Sequence, residues 1–232
     1  MFLSTKNLTK KYRTGEAETL ALSGVDIELG QGETGVILGP SGSGKSTLMN
    51  ILGGIDKADG GAAVVDGADI TKMGDDELTE YRRGKIGFIF QSYNLIPHLT
   101  VQENIEVIEN ISASPLGLSE VLDAVGLSGK KDRFPRELSG GEQQRVAIAR
   151  AVVKNPKLLL CDELTGALDY DSAIEALALV QDINRQFGTT ILIITHNAAI
   201  SDMANRVFRL RNGKVVDTRI NESVIDARRI DW

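Results

Sequence analysis

Two kinds of apolar pattern alternate along the chain. Short runs rich in Val, Ile and Leu have the length of single strands, whereas apolar residues that recur every three or four positions are typical of amphipathic helices. The predicted strands are residues 25–29, 33–38, 62–65, 86–90, 158–162, 190–195 and 206–211. The helices that mostly separate them are predicted at 45–52, 75–82, 142–153 and 172–186. This alternation predicts an α/β fold with a mainly parallel sheet.

The stretch from Ser92 to Gln144 departs from this alternation. Helical patterns occur at 101–111 and 119–125, but no run in this stretch is typical of a strand. A helical insertion into the α/β core is therefore expected.

Length, cysteine count, charge and the length of the apolar runs exclude several classes of protein. The 232 residues suffice for one compact domain, and Cys161 is the only cysteine, so a disulfide framework is excluded. With 26 Lys and Arg against 32 Asp and Glu, the net charge is −6, which argues against a nucleic-acid binder. The longest apolar runs are far below the roughly 20 residues that span a bilayer, and the first residues show no secretory signal. We expect a cytoplasmic chain able to dock on a membrane protein.

A glycine-rich motif follows the strand predicted at 33–38. It reads Gly-Pro-Ser-Gly-Ser-Gly-Lys-Ser-Thr and leads into a helical run, which is the context of a phosphate-binding loop. The nucleotide-contacting residues would be Ser41, Gly42, Ser43, Gly44, Lys45, Ser46 and Thr47. The lysine would reach the β- and γ-phosphates and the hydroxyl of Ser46 would bind Mg²⁺. An ordinary glycine-rich turn is the alternative; a dinucleotide fold is disfavoured because the third glycine is missing.

A second apolar run ends in two acids, Asp162 and Glu163. Ligands bind at the carboxyl ends of parallel strands, so Asp162 suits a Mg²⁺ partner and Glu163 a general base that orients the attacking water. A solvated strand end is the alternative reading.

A third motif runs from Leu138 to Gln144. Ser139 and Glu142 form a capping box, so the simplest reading is a well-capped helix start. A helix N-terminus with glycines is also an anion site. Because the phosphate loop already holds the nucleotide from one side, this second site points to a second copy of the chain completing the pocket.

These motifs occur together and in order, and in this the chain resembles the ATP-binding subunit of ABC transporters. The resemblance implies a P-loop NTPase (RecA-like) core with a mainly parallel sheet, an antiparallel β subdomain and an inserted α-helical subdomain. It implies one domain over 1–232, with the ATP-binding core at 1–91 and 145–232 and the helical signature subdomain at 92–144. It also implies an ATPase that uses ATP and Mg²⁺.

The resemblance assigns further site residues. Tyr12 would stack on adenine, Gln91 would touch Mg²⁺, Asp169 would communicate across the dimer and His196 would contact the γ-phosphate as part of the catalytic site. Ser139, Gly141 and Glu142 would complete the nucleotide site of the partner copy. A separate transmembrane permease would dock near the segment from Ser92 to Pro97, holding the chain at the inner face of the cell membrane.

The stretch from Ser46 to Asp56 and the one from Ile86 to Pro97 are similar to the macrolide-export and lipoprotein-release branch of that family. Leu164 stands where the family usually has proline, and we expect this change to tune turnover rather than ATP affinity. Three alternatives stay open: a regulatory coupler of a membrane complex, of the cell-division type; a non-transport cassette; and a non-enzymatic nucleotide sensor, which Glu163 and His196 disfavour. The transported substrate is not encoded in this chain.

Overall fold

The strands of the chain form two sheets. The computed structural model describes residues 1–15 and 17–231; Trp232, to which the sequence assigns no role, lies outside them. The strands are β1 (Leu3–Thr14), β2 (Ala17–Leu29), β3 (Thr34–Leu38), β4 (Gly60–Val65), β5 (Ala68–Asp69), β6 (Ile86–Ile89), β7 (Leu158–Asp162), β8 (Thr190–Thr195), β9 (Arg206–Arg211) and β10 (Lys214–Ile220).

Six α-helices are found in the described part of the chain. They are α1 (Lys45–Leu52), α2 (Asp75–Lys85), α3 (Val101–Glu109), α4 (Leu118–Ala124), α5 (Gly140–Val152) and α6 (Tyr170–Phe187). Short 3₁₀ turns lie at Ile70–Lys72, Ser128–Lys130, Pro135–Glu137, Ala198–Met203 and Ala227–Arg229. Within residues 1–15 and 17–231, none of the helices has the length and apolar character needed to cross a membrane.

The larger sheet has the strand order β10-β9-β3-β8-β7-β6. Its strands are parallel except for β10, which pairs antiparallel with β9. The smaller sheet, with the order β2-β1-β4-β5, is antiparallel throughout. The mainly parallel sheet and the antiparallel subdomain are therefore both confirmed.

The core lies on both faces of the larger sheet. Along β3, Val36 and Leu38 pack on the α6 side while Ile37 packs towards α1 and the smaller sheet, because successive side chains of a strand point to opposite faces. A strand buried on both faces reads as a continuous apolar run, which is why the pattern predicts β3, β7 and β8 well.

Helix α5 joins the helical segment to the rest of the core. Ile148 and Val152 pack against the larger sheet, whereas Val146 and Ala149 pack with α3 and α4 in a separate apolar cluster. Between residues 92 and 144 the described chain contains helices and turns only, as the pattern predicts.

The structure corrects several predicted elements. The strands β1, β5 and β10 were not predicted, and β2 begins eight residues before the predicted residue 25. These segments contain many polar residues because one face or one edge of each is solvated, and their backbone pairing does not require an apolar pattern. Helix α2 continues three residues beyond the predicted end at 82.

The starts of α5 and α6 are also corrected. Both begin two residues before the prediction, directly after the capping residues Ser139 and Asp169, because a cap admits the next residue to the helix. Smaller shifts of one or two residues occur at β3, β4, β6, α3 and α4 and at the ends of α5 and α6.

Candidate active site

Parallel strands of the larger sheet bring the predicted site residues to one edge. The phosphate loop follows β3, Asp162 ends β7, and His196 follows β8. A cavity of about 850 Å³ opens at this edge. Its lining includes these site residues from the sequence analysis: Tyr12, Ser41, Gly42, Gly44, Lys45, Ser46, Thr47, Gln91, Asp162, Glu163 and His196.

The phosphate loop wraps tightly before α1. Gly44 caps this helix with φ of +104°, a conformation that L side chains rarely adopt, and a Cβ there would lie 2.5 Å from the carbonyl oxygen of Ala21. The buried Lys45 begins the helix, and its ammonium donates hydrogen bonds to the carbonyl oxygens of Gly39 (2.8 Å) and Pro40 (3.1 Å). The loop thus places a cation and the positive end of a helix at the cavity wall.

Glu163 and His196 form a direct pair across β7 and β8. Nδ1 of the histidine lies 2.9 Å from Oε2 of the glutamate, whose side chain is 16% exposed while that of the histidine is 72% exposed. Glu163 has φ of +48°, in the left-handed region, and its N–H donates to the carbonyl oxygen of Ile194 at 3.0 Å. A left-handed glutamate is strained and persists only where its surroundings hold it, which is typical of functional sites.

The surroundings of Asp162 disfavour the charged form of its carboxyl. Burial raises the pKa of its carboxyl, the negative charge of Glu163 raises it further, and Lys45 acts in the opposite sense. Two adjacent carboxylates at a half-buried strand end therefore favour an additional cation. The hydroxyl of Ser46 and the amide of Gln91 line the same cavity and supply further oxygen atoms.

Further cavity residues escaped the sequence analysis. Thr19, Leu20 and Ala21 of β2 and Asn212 and Gly213 between β9 and β10 also line it. The Asn-Gly pair is a common hairpin-turn dipeptide and would have signalled the turn. Its place beside the phosphate loop, where the N–H of Gly213 donates to the carbonyl oxygen of Ser43, depends on the fold.

Five predicted nucleotide contacts do not line this cavity: Ser43, Ser139, Gly141, Glu142 and Asp169. Ser43 is buried, and its hydroxyl has no hydrogen-bond partner within residues 1–15 and 17–231. The other four lie at the starts of α5 and α6. Their predicted role concerns the site of a second copy, which a single chain does not contain.

The start of α5 is a complete capping box. The Ser139 hydroxyl accepts the N–H of Glu142 at 3.3 Å, and the Glu142 carboxylate accepts the N–H of Ser139 at 2.9 Å. Lys130 pairs with the same carboxylate and, with the Ser139 N–H, holds the pKa of Glu142 below its usual value. Of the two readings of this motif, the capped helix start is therefore present in the single chain.

Helices α5 and α6 approach each other closely at their N-termini. A Cβ on Gly141 would lie 2.9 Å from Oγ of Ser172. The same hydroxyl donates to Asp169, whose carboxylate also accepts the N–H of Ser172 at 2.9 Å. The loop acid and the glycine of the third motif are thus linked through one serine.

Comparison with known proteins identifies relatives along nearly the whole chain. The sequence model of a family described as ABC transporter matches residues 22–166. An ABC transporter ATP-binding protein of Methanocaldococcus jannaschii, MJ0796, is 40% identical over 92% of this chain and 94% of its own length. The macrolide export ATP-binding/permease protein MacB of Chlorobaculum tepidum is 43% identical over 92% of this chain, which confirms the likeness to macrolide-export proteins.

The relatives differ in length. The chain spans 33% of that MacB protein and 50% of an ABC transporter ATP-binding protein of Mycoplasma pneumoniae, with which it is 41% identical over 99% of its own residues. Among solved structures, a dimeric post-hydrolysis state of the MJ0796 ATP-binding cassette, bound to ADP and Pi, superposes with a TM-score of 0.84. It is 38% identical, and the match covers 94% of this chain and 98% of that one. The chain therefore belongs to the ABC transporter family and has the fold of its ATP-binding cassette.

Proposed function

We propose that this chain binds Mg-ATP in the cavity at the sheet edge and hydrolyses it, and that two copies close around two nucleotides to drive a separate membrane permease. One observation carries the hydrolytic part: the Glu163–His196 pair faces the same cavity as the phosphate loop. A cavity that only bound nucleotide would not need an acid and an imidazole at this place.

The phosphate loop supplies the binding energy. Backbone N–H groups of the loop and the N-terminus of α1 face the phosphates, and Lys45 exchanges its two carbonyl contacts for phosphate oxygens. Tyr12, which lines the same cavity, stacks on the adenine.

Glu163 acts on the attacking water. Its carboxylate orients the water and accepts its proton as the water oxygen bonds to the γ-phosphorus. The bond from that phosphorus to the oxygen bridging to the β-phosphate breaks, which releases ADP and inorganic phosphate. His196 contacts the carboxylate through Nδ1, and the N–H of its other ring nitrogen donates to an oxygen of the γ-phosphate.

A divalent cation fits the remaining groups. Ser46, Gln91 and Asp162 supply neutral and anionic oxygens at one wall of the cavity, which suits Mg²⁺ bound partly by protein and partly by phosphates. Within residues 1–15 and 17–231, no cluster of three His, Cys, Asp or Glu could hold a metal alone. When bound, Mg²⁺ would neutralise phosphate charge and relieve the repulsion between Asp162 and Glu163.

The relatives indicate two kinds of partner. The solved MJ0796 cassette is a dimer, and MacB is named as a joint ATP-binding and permease protein. We propose that Ser139 and Gly141 of each copy face the γ-phosphate held by the other. The helical segment 92–144 would form the signature subdomain, the loop from Ser92 to Pro97 would meet the permease, and the chain would sit at the inner face of the membrane.

The test is light scattering on the Glu163→Gln variant after size exclusion. Loss of the base slows hydrolysis by roughly 10²- to 10⁴-fold, so ATP persists long enough to hold the dimer. A dimer with Mg-ATP and a monomer with Mg-ADP are expected, because only the γ-phosphate bridges the two copies.

A second variant controls for the shared site. Adding Ser139→Arg to Glu163→Gln removes a contact of the partner copy without touching the phosphate loop. The dimer should disappear while ATP affinity is retained. A monomer with Mg-ATP in the Glu163→Gln variant, with binding verified, would contradict the shared site.

A further inference from the structure

A charged cluster supports the ring of Tyr12 from outside the cavity. Asp56, in the loop between α1 and β4, accepts a hydrogen bond from the Tyr12 hydroxyl on Oδ2 at 2.7 Å. Its other oxygen accepts the ammonium of Lys10 at 2.6 Å and the N–H of Lys57 at 2.7 Å. With both oxygens bonded, the carboxylate cannot rotate freely, and the tyrosine hydroxyl has a fixed acceptor.

Lys10 in turn fixes the carboxylate. Its side chain is 11% exposed, and its ammonium also donates to the carbonyl oxygen of Lys57 at 2.6 Å. The same ammonium lies 5.2 Å from the centre of the Tyr12 ring. Burial alone would raise the pKa of Asp56, but the hydrogen bonds from Lys10 and Tyr12 hold it below its usual value. The acid is therefore charged at neutral pH and accepts from both neighbours.

The cluster also lies close along the chain to the helix that follows the phosphate loop. Helix α1 begins at Lys45 of the phosphate loop and ends at Leu52, four residues before Asp56. The carboxylate that holds the ring thus lies in the loop that directly follows the helix whose first residues line the cavity. A ring anchored in this way is held in one place relative to the phosphate loop, which lowers the entropy lost when a ligand contacts both.

We propose that Asp56 is a positioning residue that fixes the Tyr12 ring for stacking on the base of the nucleotide, and that Lys10 fixes Asp56. The inference rests on the proposed function, since it requires a nucleotide in this cavity. Recognition of the base would then depend on the contact between Tyr12 of β1 and Asp56 of the loop after α1, in addition to the aromatic ring itself.

The experiment compares a ligand that has a base with one that has none. Binding of ADP and of inorganic pyrophosphate, each with Mg²⁺, is measured by calorimetry for the wild type and for Asp56→Ala, Tyr12→Phe and the double variant. ADP is used because it should not close the dimer. Each single variant should weaken ADP binding about fivefold, the effect of losing one moderately exposed hydrogen bond, with pyrophosphate binding unchanged.

The double variant tests whether the two groups act together. If the hydroxyl and the carboxylate work as one contact, the double variant binds ADP no more weakly than either single variant. Asp59→Ala is the matched control, because Asp59 also ties this loop to β1, through the N–H of Lys11 at 2.6 Å. It should leave ADP affinity unchanged.

Two results would overturn the inference: an unchanged ADP affinity in Asp56→Ala, or an equal weakening of ADP and pyrophosphate. If Asp56→Ala does not fold, Lys10→Met decides in its place, because it frees the Asp56 carboxylate and leaves the Tyr12 hydroxyl in the chain; it too should weaken ADP binding and leave pyrophosphate binding unchanged. Tyr12→Ala separates the two proposals. If Tyr12→Ala loses ADP affinity but not pyrophosphate affinity, and Asp56→Ala has no effect, then Asp56 does not position the ring, although the nucleotide site is supported. If Tyr12→Ala has no effect on ADP affinity, Tyr12 does not bind the base.

Discussion

Asn104 supports the loop that we propose meets the permease. This fully buried residue of α3 accepts the N–H of Ile96 on Oδ1 at 2.8 Å. Its amide nitrogen donates to three carbonyl oxygens, those of Ile96 (3.1 Å), Leu99 (2.9 Å) and Thr100 (2.9 Å). One side chain thus ties the end of this loop to the first turn of the helix.

The cost of Asn104→Ala follows from these contacts. The amide nitrogen has two N–H donors for three carbonyl oxygens, so one N–H is shared between two of them. Two donated bonds and the one that Oδ1 accepts make about three hydrogen bonds in all. At about 1 kcal/mol each, the variant should lose roughly 3 kcal/mol of unfolding free energy. At about 2–4 °C per kcal/mol for a chain of this size, Tm should fall by about 6–12 °C.

Asn104→Asp separates hydrogen bonding from shape. The introduced carboxylate keeps the acceptor for Ile96 but turns an oxygen towards three carbonyl oxygens. Burial and this repulsion raise its folded pKa above the unfolded value of about 3.9. A raised folded pKa means that the native state binds more protons at this site. The destabilisation relative to the wild type is therefore smallest below about pH 4, the unfolded pKa, and grows as pH rises through the folded pKa.

The assay is urea unfolding followed by circular dichroism at pH 7 and at pH 5.5. Asn110→Ala, which changes the exposed asparagine at the end of the same helix, is the control and should change stability by less than about 0.5 kcal/mol. A cost below about 1 kcal/mol for Asn104→Ala, or wild-type stability of Asn104→Asp at pH 7, would refute the reasoning. ADP affinity should stay unchanged in both variants, because Asn104 does not line the cavity.

Two further predictions concern the residues at the end of β7. Glu163 has φ of +48°, which only glycine adopts without strain. Glu163→Gly and Glu163→Ala both lose the carboxylate, so the glycine variant should have the higher free energy of unfolding, by about 0.5–1 kcal/mol, and the higher denaturant midpoint. Equal midpoints would argue against strain at this residue. Leu164 is 3% exposed and packs in the apolar cluster on the α6 side, so Leu164→Pro should cost about 2 kcal/mol and change ATP turnover but not ATP affinity. Identical turnover in a steady-state phosphate-release assay would contradict that expectation.

Local physics determined much of the site from the sequence alone. The predicted bounds of α1 match the structure, because a glycine-rich turn followed by a lysine and an apolar helical run is a local signal. The same holds for β7 and β8, whose continuous apolar runs indicate strands buried on both faces. The sequence therefore predicted that Lys45 and Glu163 follow buried strands and that Asp162 ends one, and the structure places all three in the lining of one cavity.

The tertiary structure alone decided what surrounds those residues. Strands β1 and β10 are stabilised by backbone pairing, which polar residues perform as well as apolar ones, so no pattern indicated them. The walls made by β2 and by the turn at Asn212 and Gly213 depend on that pairing. So does the contact of Tyr12 with Asp56, which lie 44 residues apart. Contacts of this separation arise from the packing of whole sheets, and residue spacing does not record them.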